Sequence, residues 1–294
     1  MRTRATKHIV FVSLLLMLTS GFGNHFGGIN TVYAAEAPLI MGIFPRRNAT
    51  ATIKLFRPLA KYLSLQLGRE VKLQTSKSFD SFWDGVTEQR YDIVHFNQYH
   101  YILSNQKHQY QVILKNSELG KSTIAGSIIV RKDSGIETVT DLKGKRIVFG
   151  GGEKAMQSYI VATYLLKQGG LQPGEYIEDF AKNPPNAIFS AYYKQSAAAG
   201  AGDSLLNLGV VTKRIDADKL KYLARGEQLP HLPWAVKGGM DASLKKQIQD
   251  ILSGLTDTPE GQKILSHAKL SGLIKVTDQE YDRHREIVKS VFDD

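Results

Sequence analysis

Strand-like and helix-like spacings of apolar residues alternate along the chain. Pro38 to Phe44 (PLIMGIF) is a short apolar run closed by Pro45, which predicts a buried strand. From Thr52 the apolar residues Ile53, Leu55, Phe56, Leu59, Tyr62, Leu63 and Leu67 recur every three or four positions. That spacing predicts an amphipathic helix ending at Gly68. Val71 to Thr75 predicts a second strand, Phe79, Phe82, Trp83 and Val86 return at helical spacing, and Asp92 to Phe96 predicts a third strand. The order strand, helix, strand, helix, strand implies parallel pairing through crossover helices, an α/β class. Ligands of such sheets sit beyond the carboxyl ends of the strands. Those ends carry Phe44-Pro45-Arg46-Arg47 and Phe96-Asn97-Gln98-Tyr99, which makes Arg46, Phe96 and Asn97 candidates for a binding site.

A second α/β unit follows. Ile124 to Arg131 and Arg146 to Phe149 read as strands, and Gly150-Gly151-Gly152 leads into a helix from about Ala155 to Gln168. The unit continues through Tyr176 to Phe180, Asn186 to Tyr193, Ala197 to Gly200, a helix from Asp203 and a strand at Lys221 to Ala224. Asp241 to Leu255, Pro259 to Lys269 and Asp278 to Val291 form an amphipathic helical tail.

The N-terminus departs from this pattern. Arg2, Arg4 and Lys7 precede an apolar run from Ile9 to Leu18, and Val32-Tyr33-Ala34-Ala35 supplies a small-x-small site. These are the parts of a secretory signal peptide, expected over residues 1–35 and cleaved after Ala34 or Ala35. The run is too short to span a bilayer comfortably. The mature chain is therefore expected in the periplasm or on the extracellular face.

Composition narrows the chemistry. The 294 residues contain no cysteine, which excludes disulfides, a thiolate metal site and a cysteine nucleophile. The net charge of +10 is compatible with an anionic partner. No long Lys/Arg block, zinc-finger or RNP motif is present, which argues against nucleic acid. There is no G-x-S-x-G, HExxH, complete Walker loop or paired-carboxylate motif, so binding without catalysis, metal or cofactor is expected.

The ordered pieces resemble the periplasmic phosphonate-binding protein family (PhnD-like) of the type 2 periplasmic binding proteins. The resemblance rests on Gly42-Ile43, on Phe56-Arg57-Pro58-Leu59 leading to Leu67-Gly68-Arg69-Glu70-Val71, and on Tyr91 to Asn97 (YDIVHFN) with Tyr101. It continues through Ile128 to Gly135 (IIVRKDSG) and Asp141-Leu142-Lys143-Gly144-Lys145-Arg146. It implies a two-lobe fold with two crossover strands: residues 36–127 and 225–294 in one lobe, 128–224 in the other. It also implies an anion in the cleft, capped by a helix N-terminus.

Candidate site residues follow from both readings. Glycines before a helix let a ligand approach backbone N–H groups, and the helix dipole favours an anion there. This directs attention to Ala155, Met156, Gln157 and Ser158. The family's three anion-binding hydroxyls align with Ala155, Met156 and Gln157, so those donors are replaced here. The resemblance also places Phe79 and Phe96 as cleft aromatics and puts Asn183 where the family has a histidine that contacts the anion. Asn186 can cap the helix that follows. Arg46 can pair with an oxyanion through its guanidinium. Asp203 is either a helix cap or a ligand contact through a proton or an ammonium group. His95 is expected in packing, and His100 and His108 on the surface.

These readings point to a monomeric, exported substrate-binding protein. It would capture a small oxyanion (phosphonate-, phosphite- or phosphate-like) and deliver it to an ABC permease. The alternative is a periplasmic sensory protein that reports an oxyanion or organic acid to a membrane histidine kinase.

Overall fold

The computed structural model describes residues 36–293; the expected signal peptide lies outside them. The chain opens with β1 (Leu39–Ile43), α1 (Ala49–Leu67), β2 (Val71–Thr75), α2 (Phe79–Thr87) and β3 (Ile93–His95). α3 (Gln98–His108) and β4 (Gln111–Ser117) follow. β5 (Thr123–Ile124) and β6 (Gly126–Arg131) lead into a second unit of β7 (Arg146–Gly150), α4 (Val161–Gln168) and β8 (Ile177–Ala181). α5 (Pro184–Tyr192), β9 (Ala198–Gly202), a one-turn α6 (Gly209–Thr212) and β10 (Leu220–Arg225) complete it. β11 (Leu229–Pro230) and β12 (Pro233–Val236) return to the first unit, before α7 (Ala242–Ser253), α8 (Pro259–Ala268), β13 (Gly272–Lys275) and α9 (Asp282–Phe292).

Two large sheets result. The first runs β13-β4-β12-β3-β1-β2, and β1 pairs in parallel with both β2 and β3. The second runs β10-β6-β9-β7-β8, with β7 parallel to β8 and β9. The chain crosses between them twice, and the two crossings pair with each other: β5 and β11 form a small antiparallel ribbon. The helix read from Asp203 is only a tight turn at Asp203–Asn207 followed by α6.

Both faces of each sheet are covered, which explains why the strands read as continuous apolar runs. Along β1, Met41 and Ile43 enter the cluster under α1, while Ile40 packs on the opposite face with Val94 and Phe96. In the second unit Ile128, Val130, Ile147 and Phe149 face α4, whereas Ile129 and Val148 face α5. Each fully buried aliphatic side chain contributes about 1.5–3 kcal/mol. α1 starts at Asn48, whose side chain accepts from Ala51 N, and stops at Gly68 with φ 62°. The last helix was expected within the first lobe. Instead α9 places Ile287 and Val291 against the core of the second unit, and Val288 touches both. Among the described residues no helix is long and apolar enough to cross a membrane.

Candidate functional site

A cavity of ≈ 90 Å³ lies between the two sheets. Its wall is built from strand ends: Arg46 follows β1, Asn97 follows β3, Gly150 closes β7, Asn183 follows β8 and Gly202 closes β9. This is the position that parallel α/β units leave for a ligand. None of the lining residues is Asp or Glu, while Arg46 and Lys182 border the space. Phe44, Phe79, Met156 and Leu232 make the remaining wall apolar.

The turn after β7 is the central feature. Gly151 and Gly152 take φ of 94° and 87°, a left-handed conformation open to glycine at little cost. The chain then enters Met156–Ile160, a wide helical turn that precedes α4. In it Ile160 N reaches back to the Ala155 carbonyl at 3.2 Å and Val161 N to that of Met156, each five residues away. Such wide turns are rare. The N–H groups of Met156, Gln157 and Ser158 open it and have no acceptor inside it. The turn sits hard against β9: a Cβ on Gly200 would lie 2.2 Å from the Ser158 carbonyl oxygen.

The side chains of this turn are committed differently. Ser158 donates its hydroxyl proton to the Gly150 carbonyl, so it offers only lone pairs to the cavity. Gln157 is 8% exposed, and neither its Nε2 nor its Oε1 has a hydrogen-bond partner among the described residues. Asn183 caps α5 by accepting from Asn186 N at 3.2 Å, which leaves its Nδ2 as a donor at the cavity wall. The cap is thus Asn183, not Asn186; Pro184 at the first helical position fixes that start.

Arg46 is aimed by a buried relay. Its Nη1 donates to Glu118 Oε1 at 2.8 Å, Asn116 Nδ2 donates to the same oxygen at 3.1 Å, and Trp234 Nε1 donates to Asn116 Oδ1 at 2.8 Å. Burial alone would raise the Glu118 carboxyl, but the charge of Arg46 and the nearby His231 outweigh it and hold it at about 2. Among the described residues no group of three or more His, Asp or Glu side chains is placed to hold a metal ion.

The profile of the periplasmic substrate-binding proteins of phosphonate ABC transporters matches residues 41–281. The chain belongs to that family. Among solved structures it is similar to the binding-protein component of an ABC phosphonate transporter from Pseudomonas aeruginosa (16% identity, 85% of each chain covered, TM-score 0.73). It is similar to PhnD1 from Prochlorococcus marinus in complex with methylphosphonate (18% identity, 86% of this chain and 97% of that one, TM-score 0.74). The aliphatic sulphonate-binding protein SsuA from Escherichia coli is a more distant likeness (14% identity, 88% and 93% covered, TM-score 0.58). At these identities the likeness is one of fold, the two-lobe type 2 periplasmic binding protein fold with two crossover strands. As a phosphonate-family binding protein the chain works in the periplasm, capturing substrate for an ABC importer. The sensory alternative is not favoured by this match.

In this phosphonate-family protein Arg46, Phe79, Asn97, Ala155, Met156, Gln157, Ser158 and Asn183 all border the one cavity. The other candidates do not. Phe96 is fully buried against Phe82, Tyr101 and Tyr110, because it points to the opposite face of the sheet from its neighbour Asn97. Asp203 is consumed at the crossovers, where it accepts from Ala125 N at 3.1 Å, Arg225 Nε at 3.0 Å and Gln228 Nε2 at 2.7 Å. Its carboxylate ties the outgoing crossover to the returning one and is not a ligand contact. Met156 is itself in the core at 2% exposure, so what it can offer a ligand is mainly its N–H. His95 stacks on Trp234 as expected, but His100 is buried between Phe79 and Trp83 and not on the surface.

Sequence reasoning missed Ile124, Leu205 and Leu232, which line the cavity from the crossovers and from the turn after β9. They carry no motif. It also missed Glu118, whose pairing with Arg46 spans 72 positions.

Proposed function

We propose that the protein captures a small oxyanion of the phosphonate, phosphite or phosphate type in the inter-lobe cavity and hands it to an ABC permease. The observation that carries this reading is a lining without carboxylates that brings Arg46, Asn183 and the opening residues of the wide turn, Met156 to Ser158, to one cavity. Hydrogen bonds to a charged group contribute about 1.5–3 kcal/mol each, and a helix start adds up to about 2 kcal/mol when partly buried. The apolar wall of Phe44, Phe79 and Leu232 suits a small uncharged substituent. An ammonium-bearing ligand would find no counter-charge, since Asp203 and Glu118 are already paired. The protein acts by hinge closure and does no chemistry on its ligand. Residues 36–127 and 225–281 swing as one lobe, and 128–224 as the other with α9 packed on its core. The mature chain is a monomer, exported by a signal peptide cleaved after Ala34 or Ala35.

A thermal-shift panel of methylphosphonate, phosphite, phosphate, sulfate and small organic acids tests the reading. A ligand at a hundred times its Kd stabilises the folded state by about 2.7 kcal/mol. For a chain of this size that corresponds to a rise of roughly 5–10 °C in Tm. We expect it for at least one phosphorus oxyanion, and expect Arg46→Ala to weaken binding of that ligand at least tenfold. No response to any oxyanion would overturn the reading.

A further inference from the structure

We propose that the cavity opens into an outer anion subsite held by Arg47 and Arg214, and that the favoured ligand carries a second acidic group on a short linker behind its phosphorus oxyanion. The inference rests on the capture of such an oxyanion in the inter-lobe cavity.

A chamber of ≈ 380 Å³ adjoins the cavity and shares Arg46, Asn183, Pro184 and Leu205 with its wall. Three arginines border it: Arg46 and Arg47 after β1, and Arg214 after α6. None of its lining residues is Asp or Glu. Glu118 pairs with Arg46 and so offsets one of the three charges. The other two are unspent. Among the described residues Arg47, Arg57 and Arg214 are the arginines whose guanidinium has no acidic partner, and two of them meet at this one chamber.

Both side chains keep an exposed surface that a ligand can reach. Desolvation within the cleft, and then the charge of Arg46, pull Arg47 down from its ordinary 12.5 to about 10, which leaves it cationic at neutral pH. The Arg214 guanidinium lies over the Phe189 ring, 5.7 Å from its centroid, and that contact holds it at the chamber wall. Asn48 spends its Oδ1 on Ala51 N, so its Nδ2 is a further donor at the same wall.

Arg47 belongs to the first unit and Arg214 to the second. Like charges thus confront each other across the cleft with no counter-ion in the lining. An acidic group between them removes that repulsion, and a guanidinium pairs bidentately with a carboxylate or phosphate. A ligand whose only charge is its head group leaves the repulsion in place, and an ammonium tail adds to it. Phe44, Phe79 and Leu232 in the inner cavity then hold the carbon linker between the two acidic groups.

The test is calorimetric titration of the mature protein at pH 7.5 with phosphonates matched in length but different in tail. These are 3-phosphonopropionate, propylphosphonate and 3-aminopropylphosphonate, with phosphonoacetate and ethylphosphonate as a shorter pair. We expect the carboxylate to bind at least tenfold more tightly than its neutral counterpart in one pair or both, about 1.4 kcal/mol. The ammonium tail should bind more weakly than the neutral one. Arg47→Gln and Arg214→Gln should each reduce the carboxylate preference at least fivefold. The comparison of tails on the unaltered protein needs no variant to fold. If phosphonates bind but the carboxylate gains less than threefold in both pairs, the capture reading stands and this inference is overturned. A preference that survives both substitutions also overturns it, because the second group then sits elsewhere. If no phosphonate and no other oxyanion binds, the capture reading itself has failed and this inference falls with it.

Discussion

The side-chain amide of Asn97 donates to the carbonyl oxygen of Lys154 at 3.2 Å, joining the start of α3 in one lobe to the loop after β7 in the other. The same side chain accepts from His100 N at 2.8 Å and so caps α3. One residue thus serves both a helix end and a contact between the first unit and the second. The nearby Lys154–Asp80 pair, at 3.6 Å and well exposed, adds little.

Asn97→Asp separates the two duties. Aspartate caps a helix as well as asparagine does but cannot donate to a carbonyl. A net hydrogen bond of about 0.5–1.5 kcal/mol made only on closure is worth roughly two- to twelvefold in affinity. We expect ligand binding to weaken by that amount while the unliganded melting temperature changes little. Unchanged affinity in a normally folded Asn97→Asp protein would show that the link does not favour closure.

Acid should destabilise the fold in two stages. His100 is held by burial at about 3, against 6.5 when unfolded. The unfolded chain therefore takes up a proton below pH 6.5 that the native state refuses, and stability falls as the pH drops toward 3. Glu118 is ionised in the native state down to about 2, against 4.5 when unfolded, so its contribution is present above pH 4.5 and is lost below it. At pH 5 each such buried histidine steepens the loss by about 1.4 kcal/mol per pH unit. His100→Phe should flatten the limb between pH 6 and 4 by that slope in denaturant titrations. An unaltered limb would mean that His100 charges within the native state.

Gly200→Ala addresses the wide turn. Its Cβ would meet the Ser158 carbonyl oxygen at 2.2 Å and the Phe149 ring at 2.4 Å, so either the turn or the strand must shift. Overpacking of this kind costs about 1–3 kcal/mol. We expect a lower Tm by several degrees and, because the free N–H groups move, at least tenfold weaker ligand binding. Lost stability with unchanged affinity would separate the turn from the site.

Legibility in the sequence followed periodicity. β1 through β3 and β6 through β9 were readable because apolar runs and helical stripes alternate with glycine stops. α3, β4, β12 and β13 were not assigned. Gln111 to Ser117 mixes polar and apolar residues because β4 lies between two antiparallel partners, β12 and β13, that are remote in sequence. Gly150-Gly151-Gly152 announced the cavity end of β7, and the nearby candidates converge on one cavity. Phe96 failed by parity: at a strand end one residue decides between core and cleft, and nothing local marks which. Asp203 stayed ambiguous because the partners that consume its carboxylate, Arg225 and Gln228, arrive from the returning crossover. The commitment of the Ser158 proton to Gly150 was not legible either, since it depends on how the wide turn folds back over the glycine loop.

The wide turn at Met156–Ile160 holds one residue more than an α-helical turn would use over the same path. Removing any one of those five residues would let α4 run back to the glycine loop as an ordinary helix, and each position is worth about 100° of rotation. The side chains upstream of the deletion would swing by that angle against the core-facing stripe of Ile160, Ala162 and Leu166. A wall residue upstream of the deletion, such as Met156, would leave the cavity without itself being substituted. At this place, then, a single-codon deletion re-aims the cavity wall more drastically than any point substitution, and relatives that differ here by one residue in length should be compared by register before they are compared by residue type.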